Sequence, residues 1–169
     1  LFYRDFPELG GEQKRNYLLS QQARLREKFA NAKKYGALTA MVINPVGFLS
    51  CASRGSEEQY RQALAKAHPG ILATPGAGLR CNLCPSNEAT RKFVVAGIRE
   101  FVETYPELDM IIFQFSDMGG ELNCACDQCK SYPLVDRIVD YARLAMDTAR
   151  AVNSNIRFMM REHALPGFI

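Results

Sequence analysis

Hydrophobic positions along the chain fall into two spacings, and the switches between them mark the elements. From Glu12 to Tyr35 the apolar residues Leu18, Leu25, Phe29 and Ala32 recur among charged neighbours at intervals of seven, four and three, the repeat of one face of an α-helix. Gly36 follows as a C-terminal cap. Leu38 to Asn44, LTAMVIN, is a continuous apolar run ended by Pro45. Such a run suits a strand covered on both faces better than an alternating edge strand.

Ser56 with Gln59 makes a capping box that opens a short helix, closed by Pro69 and Gly70. The Gly- and Pro-rich stretch from Pro69 to Pro85 reads as a long loop. Ser86 or Asn87 can cap a helix whose face is Val94, Ile98, Phe101, Val102 and Tyr105, and Pro106 stops it. Met110 to Phe115, MIIFQF, is the clearest buried strand. Leu134, Ile138, Tyr141, Ala145, Thr148 and Val152 then alternate at four and three, a helical stripe. After a turn at 153–155, IRFMM at Ile156 to Met160 reads as a third strand.

Helices alternating with buried strands predict a parallel sheet with right-handed crossovers. The expected fold is α/β, built of parallel β/α units as part of a TIM-type (β/α)8 barrel, with a small doubly wound sheet as the alternative. Residues 1–169 form one such domain. The chain opens without Met and stops on Gly167, Phe168 and Ile169 just after a strand, so it is expected to be a fragment of a larger barrel protein. Both architectures place ligands at the carboxyl ends of the strands.

Composition narrows the function classes. At 47% hydrophobic and 23% charged, with a formal charge of +3, the chain has the make-up of a globular domain and lacks the basic footprint of a nucleic-acid binder. No apolar run approaches the roughly 20 residues of a membrane span, and the first residues do not form a secretion signal. Oligomeric state is not legible. A periplasmic or secreted location is expected slightly ahead of a cytoplasmic one.

Polar residues collect where this fold would use them. Asn44 follows the first strand, Ser116, Asp117 and Glu121 the second, and Arg161, Glu162 and His163 the third. Cleaving a glycosidic bond needs an acid to protonate the leaving oxygen and a second group to handle the oxocarbenium-like carbon. Asp117 and Glu121 can supply both from one loop. The plainer alternative makes Asp117 a turn opener and Glu121 a solvated loop residue. Arg161, Glu162 and His163, with Asn44, are candidates for lining a substrate site.

Five of the six cysteines lie in two tight clusters: C-x-x-C at Cys81 and Cys84, and C-x-C-x-x-C at Cys124, Cys126 and Cys129. Cysteine pairs from separate loops are the usual way to assemble a structural tetrathiolate zinc site. Five candidates for four places leave one spare. Disulfides between the loops compete with zinc, and a redox C-x-x-C or an iron and sulfur cluster fits the spacing less well. Cys51, alone after an apolar segment, reads as a buried small hydrophobe.

The block NLCPSNEATR at Asn82 to Arg91, a helix, then ELDMIIFQFSD and a loop ending C-x-C-x-x-C-K, resembles bacterial glycoside-hydrolase-like barrels related in pattern to the hexosaminidase and α-glucuronidase clans. FPEL at Phe6 to Leu9 and KKYGALTAMVINP at Lys33 to Pro45 look like the preceding barrel unit. The resemblance implies a (β/α)8 barrel acting on a carbohydrate substrate, with Glu121 as general acid and Asp117 assisting. In hexosaminidases the acid directly follows an Asp, whereas Gly120 precedes Glu121 here. A non-catalytic zinc-stabilised domain that binds a glycan or a protein is the alternative.

Overall fold

A computed structural model describes residues 12–44, 57–74, 83–114 and 124–161. The element order is α1 (Glu12–Lys34), β1 (Ala40–Ile43), α2 (Glu57–Ala67), α3 (Glu88–Thr104), β2 (Met110–Gln114), α4 (Asp127–Lys130), α5 (Leu134–Val152) and β3 (Arg157–Arg161). The helical stripes locate α1, α3 and α5 to within a residue or two. Gly36 leaves α1 at φ +69°, a left-handed conformation that glycine adopts without strain. Asn87 caps α3, its Oδ1 accepting from the Ala89 N–H at 2.8 Å.

The three strands are parallel and lie in the order β1-β2-β3. β2 is central, with Met41, Ile111 and Phe158 in one cross-strand row and Ile43, Phe113 and Met160 in the next. Ile111 and Phe113 are fully buried, in one core with Phe29 of α1, Val94 and Ile98 of α3, and Tyr141 and Ala145 of α5. Burying each such large side chain contributes about 1.5–3 kcal/mol. Phe113 and Phe158 stack at 5.5 Å between centroids. A second core joins Leu64 of α2 to Phe93 and Ala96 of α3.

Two expectations are corrected here. Among the described residues the sheet has three strands, and β1 and β3 each have a single neighbour. That is too few to close a (β/α)8 barrel, which joins eight strands edge to edge. The fold is α/β in character, with an open three-stranded parallel sheet. Among the described residues β1 is also not covered on both faces: α1, α3 and α5 contribute to one core on one side, while Val42 and Met159, in register with Ile112, stay about half exposed on the other.

The amino edge of the sheet is fixed by polar contacts. Thr39 N–H donates to Asp109 Oδ2 at 2.8 Å, and Thr39 Oγ1 donates to the Glu107 carbonyl at 2.6 Å. Lys33 pairs with Asp109, and Arg26 with Glu107 at 2.7 Å. These contacts tie the end of α1 to the entry of β2. No described helix is long and apolar enough to cross a membrane.

Candidate metal centre

Two segments converge at the start of α5. The first runs from Ile71 to Thr74 and resumes at Leu83, held by an antiparallel bridge between Leu72 and Leu83 and by the Cys84 N–H donating to the Ile71 carbonyl at 2.7 Å. The second carries Cys124, Cys126 and Cys129. It is bonded to the first through the Ala125 N–H and the Thr74 carbonyl at 3.0 Å. Cys126 precedes α4, a single turn that brings Cys129 back beside it.

The sulfurs of Cys84, Cys124, Cys126 and Cys129 all lie within 4.8 Å of one another. Cys84 Sγ is 3.6 Å from Cys124 Sγ and 3.8 Å from those of Cys126 and Cys129. A divalent ion about 2.3 Å from four thiolates sets tetrahedral sulfurs about 3.8 Å apart. The four cysteines can therefore hold a metal ion with little rearrangement. They are free thiols at separations well beyond the S–S bond of about 2.05 Å.

The surroundings favour a closed centre. Cys84, Cys124 and Cys129 are buried, and Cys126 is partly exposed. Burial pushes the Cys84 and Cys129 thiols up, whereas the Cys129 backbone N–H draws Cys126 down to about 7. Ser86 Oγ lies 2.9 Å from Cys129 Sγ, and the Thr74 N–H donates to Cys124 Sγ at 3.3 Å. Hydrogen bonds of this kind orient ligands and stabilise the anionic sulfur.

No family model, curated protein or solved structure matches the chain.

Helix α5 braces both ligand segments. Tyr141 Oη donates to the carbonyl of Pro85, next to Cys84, at 2.9 Å. Arg137 donates to the carbonyls of Cys129 and Tyr132. Tyr132 in turn donates to Asp140 Oδ2 at 2.5 Å, and burial leads the effects that raise its pKa to about 12.

Of the cysteines singled out from sequence, Cys84, Cys124, Cys126 and Cys129 come together. Cys81 and Cys51 lie outside the described residues, as do Asp117, Glu121, Glu162 and His163. Asn44 follows β1, and Arg161 ends β3 in register with Gln114, so both stand at the carboxyl edge of the sheet. The bracing residues Arg137 and Tyr141 were not read as part of the site. The sequence marks Tyr141 only as a position on the helical stripe, and it also packs in the core.

Proposed function

We propose that this is a zinc-stabilised α/β domain in which Cys84, Cys124, Cys126 and Cys129 hold one structural zinc ion. The sulfur spacing carries this reading, because Cys84 Sγ stands 3.6 Å from one and 3.8 Å from two of the other sulfurs, close to the edge of a single-ion tetrahedron. A four-iron cluster would attach each cysteine to a different iron and spread the sulfurs further. Four thiolates leave no open position for a substrate, so the ion fixes structure and does not activate water. Its effect is to lock the segment before α3 to the segment that follows β2.

Elemental analysis combined with thiol counting tests the assignment. One zinc per chain is expected, with the four ligand thiols shielded from a thiol reagent until a chelator is added. Absence of bound metal would overturn the centre. Iron at the same stoichiometry would overturn the choice of ion.

A second reading concerns the residues between β2 and the centre. Glu121 and Asp117 would act as general acid and assisting carboxylate on a carbohydrate, with Asn44 and Arg161, and Glu162 and His163 beyond it, contacting the sugar. Its support is the position of the pair, between the central strand and the anchored Cys124, together with the resemblance of ELDMIIFQFSD and the cysteine loop to glycoside-hydrolase-like proteins. Glu121→Gln should abolish glycoside hydrolysis while leaving the melting temperature unchanged. Equal turnover by the variant would remove Glu121 from the reaction.

A further inference from the structure

Four thiolates around a divalent ion carry two net negative charges. Three of the four cysteines are buried, and net charge taken out of water is costly unless a nearby opposite charge offsets it. The side chain best placed to do so is Arg137, in the first turn of α5 and 6% exposed.

Its guanidinium is tied to the ligand segment through backbone. One Nη donates to the carbonyl of Cys129, itself a proposed ligand, and Nε donates to the Tyr132 carbonyl at 2.5 Å. The Tyr132 N–H returns to the Cys129 carbonyl at 3.1 Å, and the guanidinium lies over the Tyr132 ring, 5.6 Å from its centroid. Arg137 thus closes the turn that presents Cys129 and keeps its charge in the same buried surroundings. Arg91, by contrast, is exposed over the Tyr141 ring, where water and salt screen it.

We infer that Arg137 is the positioning and charge-balancing residue of the metal centre, holding the Cys129 turn through its carbonyls while offsetting the negative charge of the thiolates. This rests on the tetrathiolate reading given above. Its two parts separate by substitution. Arg137→Gln keeps N–H donors for the carbonyls and loses the charge, whereas Arg137→Lys keeps the charge and loses the planar fork.

The experiment measures zinc affinity by chelator competition in the full chain for wild type, R137K and R137Q, with circular dichroism verifying the fold of each. R137Q should bind zinc about 10- to 100-fold more weakly, the range seen when residues that support metal ligands are changed. R137K should stay within a few-fold of wild type. The cobalt-substituted proteins give a second readout: losing the positive charge raises the thiolate electrons in energy, so the sulfur-to-cobalt charge-transfer bands of R137Q should move to longer wavelength while those of R137K stay in place. Equal losses in both variants with unshifted bands would overturn the charge-balancing role, and wild-type affinity in R137Q would overturn the whole proposal. Failure of wild type to bind either ion would instead bring down the metal centre itself.

Discussion

The hydroxyl of Ser86 sits 2.9 Å from the sulfur of Cys129, across the join between the two ligand segments and two residues beyond Cys84. It therefore links one segment to a ligand of the other before any ion is bound. Once the sulfur is ionised, the hydroxyl can only donate to it. Ser86→Ala should weaken zinc binding by about tenfold, measured by chelator competition. An unchanged constant would show that the contact is packing alone.

Cys84 is the only described cysteine of the first segment in the cluster, and so its one proposed ligand. Stabilisation by a ligand that binds only the folded state reaches about 4 kcal/mol at a thousandfold excess over its dissociation constant, on the order of 10 °C in melting temperature for a domain of this size. Adding a chelator to wild type should remove that amount. Cys84→Ser should melt near the chelated wild type and ignore the chelator. A variant that keeps the full chelator response would place the fourth ligand elsewhere.

Zinc binding should release protons. Burial holds the Cys84 and Cys129 thiols above their ordinary values, and Cys126 titrates at about 7. At neutral pH the ion must therefore displace at least about two protons, and affinity should fall about a hundredfold per unit of pH on acidification, more steeply below 7 as Cys126 also takes a proton. An indicator dye in weak buffer reads the release directly. Without metal the sign reverses: thiols kept protonated by burial favour the fold below the ordinary thiol value of about 8.5 and cost stability as pH rises past it.

At the other end of the sheet, Asp109 is held below the usual carboxylate range by the Lys33 ammonium and next by the Thr39 N–H. A depressed value in the folded state adds stability above the unfolded value of about 3.9, lost as pH falls through the folded one. Both partners are partly exposed, so the effect is small. Asp109→Asn should cost about 1 kcal/mol at pH 7, roughly 2–4 °C in melting temperature, and the difference from wild type should shrink towards pH 2. A gap that stays constant with pH would mean that the carboxylate charge contributes nothing.

How much of this was readable beforehand depends on the range of the contacts. The stripe from Leu134 to Val152 gave α5 its full extent, because a helix is written in residues three and four apart. MIIFQF gave β2 for a similar reason. The run LTAMVIN misleads: its unbroken apolar character suggests cover on both faces of β1, yet Val42 faces away from the core that α1, α3 and α5 share with the sheet. The number of strands was not written locally at all, and the barrel expectation failed on it. At the metal centre the short C-x-C-x-x-C spacing was legible. The choice of Cys84 as its partner depended on a bridge between Leu72 and Leu83, and Arg137 carried no mark distinguishing it from a solvated helix arginine. Asp117 and Glu121 belong to the residues outside the described structure.

The proposed ligands Cys84 and Cys129 are 45 residues apart in sequence, and α3 and β2 lie between them. A filled centre therefore turns this stretch into a ring, with the central strand and the helix that packs on it inside. Tension applied at either end of the described chain would pass through the ion and largely bypass them. Unravelling begun at α1 or β3 would halt at the ring, so chelation should act less as a local loosening than as the opening of a clasp. Under a pulling force, the length released at the last rupture should then equal the contour of those 45 residues.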